Sequence, residues 1–429
     1  MRSPEPRRGG DVTQARRALL SITIANTLEW YDFAIYAFLA QVIAGVMFPA
    51  SDAMASLLLS VGSFGVGFLT RPAGSVIFGA LADSKGRKLT LMLTFLLMGI
   101  ATLAIGVIPS FAAIGLTAPL LVVLARLLQG LAAGGAMGGA TSLLIEHAPP
   151  DRAGYFGSWQ VAGQAGALLM GALAAATVSA VVKEDQLVRW GWRLPFLASA
   201  LLLPFALYIR RRVEDSQAFV CERRAATSPL RILWRTRRGA VARGFGITVI
   251  WTVATYFFFI YVPLYAHTVL KMPMSTTLFS NSIALLVLLV VSPMAGHLSD
   301  RLSRLGIMVA AAVAMVVLTV PGFQLLLSHS SGVALVTFQI TFAALAALFV
   351  GPAPAAIAEL FPVGVRSSGV GVAYNCAVTV FGGFAPLIAT GLVALTTDPL
   401  SPTWYVVFSC SLSLLALMLT PRTRSQDPC

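Results

Sequence analysis

Apolar residues run along this chain in long stretches, interrupted at short intervals by charged residues or by Pro and Gly. A helix needs about 20 mostly apolar residues to cross the hydrocarbon core of a bilayer. Twelve stretches meet or approach that length. They predict helices over 18–48, 54–82, 89–108, 116–146, 154–182, 193–210, 243–269, 276–298, 305–326, 333–358, 367–395 and 402–420. Tilt accommodates the longer ones. One long hydrophilic stretch divides them six and six. The expected organisation is an arm (1–17), a first six-helix bundle (18–210), a linker (211–242), a second six-helix bundle (243–420) and a tail (421–429).

Composition narrows the class. Hydrophobic residues make up 57% of the chain and charged residues 11%, with a mean hydropathy of +0.83. Soluble domains carry about 25% charged residues, and disordered chains are polar and charge-rich. Both are excluded, leaving an all-α integral membrane protein. The net charge is +13. With the N-terminus placed in the cytoplasm, 24 of the 30 Lys and Arg residues fall on cytoplasmic segments. Four (Lys183, Arg189, Arg193, Lys271) fall outside, and Arg71 and Arg126 lie within helices. Basic residues accumulate on cytoplasmic loops, so both termini are expected there. The basic excess is then a topology signal and implies no nucleic-acid partner. The arm has no signal-peptide cleavage pattern, so the first apolar run reads as an uncleaved helix.

An internal repeat follows. Gly79, Asp83 and Arg87 recur as Gly296, Asp300 and Arg304, at an offset of 217 residues. Glu146, Pro149 and Arg152 recur as Glu359, Pro362 and Arg366, at offsets of 213 to 214. Two parallel six-helix repeats with pseudo-symmetry are the organisation of carriers that alternate access around a midplane site. The second copy is degenerate: Ser303 stands where a glycine is expected.

Charge within hydrocarbon is costly and marks functional positions by default. Four such residues are predicted near mid-membrane: Glu29, Asp32, Arg71 and Arg126. Asn26, Glu29 and Asp32 are spaced i,i+3 and can share a helix face. Arginine suits a carboxylate because its planar fork engages both oxygens and because it stays charged. A buried acid can carry a proton, since desolvation favours its neutral form while a neighbouring arginine favours the charged one. Asp32 is the preferred proton carrier and Glu29 the second. The plainer reading is two ion pairs that only hold helices together. The set is formally neutral, so protonating one acid makes it +1 and favours an anion. Gln160, Tyr256 and Asn375 are polar positions in apolar helices; each can reach a substrate or bond a neighbouring helix. Gln164, Thr252, Thr255, Asn281, Gln339 and Tyr374 pose the same choice. Glycines 130, 134 and 138, spaced by four, predict close helix packing.

Other chemistry is not supported. Cys221, Cys376, Cys410 and Cys429 have neither metal-ligand spacing nor a disulfide pattern. No nucleotide-binding GxxxxGK[ST] string, HExxH or GxSxG occurs. No enzyme activity, cofactor or metal is expected.

The loop Gly79-Ala-Leu-Ala-Asp83-Ser-Lys-Gly-Arg87-Lys88 resembles the loop 2–3 signature of the major facilitator superfamily. Several strings resemble its metabolite:proton symporter family: Asn26-Thr-Leu-Glu29-Trp-Tyr-Asp32-Phe, Gly67-Phe-Leu-Thr-Arg71-Pro-Ala-Gly74, Arg126-Leu-Leu-Gln129-Gly130, Ser158-Trp159-Gln160 and Gly191-Trp-Arg193-Leu-Pro195-Phe. Tyr374–Pro386 and Ser401-Pro402-Thr-Trp404 look most like the citrate and tricarballylate branch. The resemblance implies the major facilitator fold and a proton-coupled importer of a small carboxylate. It implies a monomer in the bacterial inner membrane, with substrate, protons and lipid as its partners. Substrate would be bound by Arg71, Arg126, Asn26, Gln160, Tyr256 and Asn375. A cytoplasmic gate would form from Asp83, Arg87, Glu146 and Arg152 with their echoes Asp300, Arg304, Glu359 and Arg366. One departure is Ala136, where the family usually has an acid. Three alternatives stay open. A proline or betaine symporter is one, although the nine residues after Thr420 show none of the heptads of osmosensing relatives. A drug:proton antiporter is another, although the fifth helix lacks that class's Gly-Pro pair. A sensor that binds without transporting is the third.

Overall fold

A computed structural model describes residues 10–49, 59, 62–63, 65–199 and 229–420. The first half contains α1 (Gly10–Phe38), α2 (Gly65–Lys85), α3 (Arg87–Val107), α4 (Thr117–Glu146), α5 (Ala153–Val181) and the opening of α6 at 194–199. The second half contains α7 (Arg238–Thr268), α8 (Met274–Arg301), α9 (Arg304–Ser328), α10 (Gly332–Ala358), α11 (Val363–Thr396) and α12 (Ser401–Met418). Ten of these are long and apolar enough to cross a membrane; α1, which carries Arg16, Arg17, Glu29 and Asp32, is not among them. The expected arm over residues 1–9, the start of the second helix, most of the sixth, the linker over 211–228 and the tail lie outside the described residues.

Helix ends differ from expectation where charge hid them. α1 starts at Gly10, ahead of the apolar run at 18, and α7 starts at Arg238, ahead of 243. In lipid every backbone polar group needs a partner within the protein, so helices continue past the apolar run into the charged ends. The expected helix over 18–48 breaks at Leu39, after which a short helix Ala40–Met47 resumes.

One face of α3 exposes Leu89, Leu93, Leu96, Ile100, Leu103 and Val107. In water such a stripe would be an aggregation surface; here it is the lipid-facing side. The opposite face packs on α4, and α4 packs on α2. That second contact requires glycine. A Cβ at Gly130 would lie 1.7 Å from the carbonyl oxygen of Gly67, and one at Gly134 would lie 2.2 Å from that of Arg71. The halves meet where α5 packs on α8 and where α2 and α4 pack on α11. A Cβ at Gly138 would lie 2.1 Å from the carbonyl oxygen of Ser367.

The degenerate repeat has a structural counterpart. Gly86, between α2 and α3, has φ 115°, a conformation that disfavours any side chain. Ser303 occupies the equivalent turn at φ −66° and caps α9 by accepting a hydrogen bond from the Gly306 N–H at 3.2 Å. Replacing glycine changes a left-handed turn into an ordinary N-cap.

The α4 stripe is directly testable. Gly134→Val should lower thermal stability in detergent by more than the 1–3 kcal/mol typical of overpacking, because the obstruction is backbone. Gly239→Ala, where a Cβ meets nothing within 4 Å, should leave the melting temperature unchanged. Equal melting temperatures for both variants would show that α2 and α4 do not need this approach.

Candidate functional site

Four of the predicted residues form two groups. The first surrounds a narrow cavity lined by Asn26, Glu29, Trp30 and Phe33 of α1, Arg71 of α2, Met98 of α3, Ala133, Ala136 and Met137 of α4, and Tyr374 of α11. Arg71 is the central cation. Its guanidinium carbon lies 4.2 Å from the ring centroid of Phe68, 4.5 Å from that of Phe33 and 5.2 Å from that of Trp30. Cation–π attraction contributes about 2 kcal/mol at a desolvated site. Rings do not satisfy N–H donors, however, and apart from the nearby Tyr256 hydroxyl the Nε and Nη2 groups of Arg71 have no hydrogen-bond acceptor among the described residues. Tyr256 packs edge-on against Phe68 at 5.3 Å and lies within electrostatic reach of Arg71. Its hydroxyl faces Arg71 and makes no other hydrogen bond among the described residues.

The backbone around Tyr256 is irregular. Residues Ala254–Tyr261 of α7 are π-helical, as are Val378–Gly382 of α11. The two segments touch: a Cβ at Gly382 would lie 2.0 Å from Thr252 Oγ1 and 2.8 Å from the Tyr256 ring. π-bulges often accompany functional sites; here the first brings Tyr256 to Arg71, which lines the cavity.

The second group lies within the first half, beside the cavity. Asp32, one turn beyond Glu29, faces Thr102 of α3 and Ser199 of α6 and lies within electrostatic reach of Arg126. Arg126 donates from Nη1 to Gln129 Oε1 at 2.8 Å, and Gln129 donates from Nε2 to Thr102 Oγ1 at 2.7 Å. The Arg126 guanidinium carbon lies 3.3 Å from the ring centroid of Tyr36, whose hydroxyl bonds Ser63. Arg126 is therefore engaged through Nη1 in a buried polar chain.

Other predicted ligands are engaged by neighbouring helices. Gln160 donates to Asn26 Oδ1 at 2.9 Å, and the Asn26 amide donates to the Gln160 carbonyl at 3.1 Å, tying α1 to α5. Asn375 donates to the carbonyls of Gly134 at 2.9 Å and Gly371 at 2.8 Å, tying α11 to α4. Trp251 of α7 donates to Gln164 of α5 at 3.3 Å and packs edge-on against Tyr374 at 4.9 Å. Gln339 pairs with Ser280 inside the second half. The sequence alone gives no role to the caging rings, Tyr36, Thr102 or Gln129. Thr102 and Gln129 carry the same signal as Gln160, a polar residue within an apolar run.

The repeated charged loops meet at one end of the bundle. Asp83 accepts the N–H groups of Ser367 (3.2 Å) and Ser368 (2.8 Å) and the Ser368 hydroxyl (2.6 Å), capping the helical segment Arg366–Ala377 of α11. Asp300 accepts the N–H groups of Gly154 (2.7 Å) and Tyr155 (2.8 Å), capping α5. Each half thus caps a helix of the other. A carboxylate at a helix N-terminus also meets the favourable end of its dipole. Arg87 pairs with Glu146 and donates to the Val363 carbonyl at 2.9 Å; Glu146 also holds Arg366 at 3.0 Å. In the second copy Arg304 bridges Asp300 and Glu359. Arg152 is exposed and makes no ion pair among the described residues.

The family model described as Major Facilitator Superfamily matches residues 22–386. The chain belongs to that superfamily. Among relatives, a citrate-proton symporter of Klebsiella pneumoniae is 34% identical, over 93% of this chain and 90% of that protein. A citrate-proton symporter of Salmonella typhi is 33% identical over 95% and 94%. A proline/betaine transporter of Salmonella typhimurium is 29% identical over 95% and 84%. The solved proton:xylose symporter XylE, bound to 6-bromo-6-deoxy-D-glucose, superposes with a TM-score of 0.81 at 15% identity, covering 95% of both chains. That likeness concerns the fold. The superfamily architecture expected from the repeat, twelve helices in two bundles, is thereby established.

The two charged clusters should differ in energetic weight. The Glu146 side chain is 2% exposed between two arginines, whereas that of Glu359 is 41% exposed. Glu146→Gln strands buried guanidinium groups and should cost roughly 3–5 kcal/mol. Glu359→Gln should cost under about 1 kcal/mol. Thermal unfolding of both purified variants checks this; similar losses would mean burial does not set the difference.

Proposed function

We propose that this protein is a proton-coupled secondary transporter that imports a small organic carboxylate of the citrate or tricarballylate kind by alternating access. It works as a multi-pass protein of the bacterial inner membrane, with the charged loops and both termini facing the cytoplasm. The observation that carries the substrate class is Arg71: a buried guanidinium at the wall of the cavity, with Nε and Nη2 short of carboxylate acceptors among the described residues. A carboxylate supplies two oxygens in the geometry of that fork. The aromatic rings also bear on the betaine alternative. A quaternary ammonium is recognised by such rings, but here the chain's own cation occupies them.

The roles divide between the two groups. Arg71 binds the substrate carboxylate, with Tyr256 as a second donor. Glu29 shares the cavity with Arg71, while Asp32 is balanced by Arg126 through the Gln129–Thr102 chain. Protonating either acid turns a neutral set into one of +1, so a proton and an anion favour each other's binding. Asn26, Gln160 and Asn375 shape the cavity by holding its helices. Asp83 and Asp300, with Arg87, Glu146, Arg366, Arg304 and Glu359, form the cytoplasmic latch, a reading supported by the contacts they make between the halves. Opening it exchanges the trans caps for water. Arg152 contributes through its exposed charge alone.

Arg71→Gln should weaken binding of citrate or tricarballylate by about 1.5–3 kcal/mol, as for a lost hydrogen bond to a charged group. Arg71→Lys should recover only part, because a point charge does not reproduce the fork. Arg126→Gln, off the cavity, should affect binding less than Arg71→Gln. In proteoliposomes, uptake should rise as the outside is acidified and accumulation should vanish with a protonophore. Accumulation that needs sodium instead, or glycine betaine binding more tightly than any carboxylate, would overturn the reading. Separately, Asp83→Asn should reduce transport far more than it reduces substrate binding, since it shifts the balance of states and leaves the cavity intact. Proportional loss of both would assign Asp83 to the site.

A further inference from the structure

Between the two bundles lies a short helix, Pro229–Thr236, immediately before α7. Leu233 is fully buried, and the helix packs on α2, on the Val363–Val365 turn and on α11. This is where Asp83 and Arg87 reach across to the second half. The helix is thus a strap over the joint between the bundles. Its other side is exposed: Arg231, Ile232, Trp234 and Arg235, followed by Arg237 and Arg238. No acidic residue occurs from Pro229 to Arg243. Lys85, at the end of α2, is exposed at the same joint.

The position of this helix relative to the bilayer follows from the chain. The membrane-crossing helix α7 begins at Arg238, two residues after the strap ends, so the strap lies at the membrane surface. A basic amphipathic helix with an exposed tryptophan has the composition of a segment that lies in the headgroup layer. Arginine stems cover apolar surface while their heads reach the phosphates. We propose that the exposed face of Pro229–Thr236 docks on anionic phospholipid headgroups, and that this docking presses Leu233 onto the joint and favours the closed latch. This rests on the cytoplasmic latch proposed above and holds whichever substrate is carried.

The test uses the full chain in nanodiscs of phosphatidylcholine, with or without phosphatidylglycerol. Each surface arginine contributes roughly a fivefold change in affinity for an anionic membrane. Arg231→Gln/Arg235→Gln should therefore retain roughly 25-fold less phosphatidylglycerol in native mass spectrometry. Arg231→Lys/Arg235→Lys should keep most of the preference. Phosphatidylglycerol should slow hydrogen exchange at Val363–Ser368 in the wild type and not in the Gln variant. The melting temperature of the Gln variant in pure phosphatidylcholine should equal that of the wild type, showing that the fold is intact. Trp234→Ala, which leaves every charge in place, should also reduce lipid-dependent protection. Equal phosphatidylglycerol retention by wild type and Gln variant, or protection at Val363–Ser368 that ignores lipid charge, overturns the proposal.

Discussion

The placement of Arg71 depends on two missing side chains. Its carbonyl oxygen lies 2.2 Å from where a Cβ of residue 134 would be, and that of Gly67 lies 1.7 Å from where a Cβ of residue 130 would be. Without glycine at both positions α2 stands off from α4, and the guanidinium leaves its place between Phe33 and Phe68. In hydrocarbon the attraction between helices comes from close packing and hydrogen bonds, not from excluding water. The closeness of this contact therefore decides whether a buried cation is held by rings or stranded. The same stripe continues to Gly138, where α4 meets α11 of the other half. One row of small residues thus sets both the site and the joint between the bundles.

That joint is built from helix ends. An α-helix leaves its first N–H groups without intrahelical acceptors. In this fold a carboxylate from the opposite bundle supplies acceptors for the ends of α11 and α5. Such contacts are strong while closed and are readily replaced by water when opened, which suits a contact that must form and break. The two copies are chemically unequal. Asp83 works with a buried Arg87–Glu146–Arg366 cluster, and Asp300 with a more exposed Arg304–Glu359 pair. Desolvation makes losing one partner costly at the first cluster and cheap at the second.

Much of the site was visible as residue types in the wrong solvent. Glu29, Asp32, Arg71 and Arg126 declare themselves because charge in an apolar run needs a reason. The aromatic rings did not, since Trp30, Phe33 and Phe68 are indistinguishable in sequence from any lipid-facing or core aromatic. Gln129 and Thr102 carried a signal that was available, a polar residue in an apolar helix. The same rule flagged Gln160 and Asn375, which the fold uses to tie helices together.

The sequence by itself determined the class, the helix count, the two-fold repeat and the pairing of Asp83 with Asp300. The physical reason is that a bilayer admits few solutions: apolar runs of sufficient length must be helices, and a repeat puts Asp83 and Asp300 at corresponding helix ends even where their neighbours differ. Only the tertiary structure decided which charges share a cavity. Glu29 and Asp32 lie three residues apart, about 60° around the helix. That angle sends Glu29 to the cavity with Arg71 and turns Asp32 toward α3 and α6, beside Arg126. Local spacing gives only the faces of α1. What each face meets depends on how close α2, α3 and α4 come, and packing of neighbouring helices sets that distance.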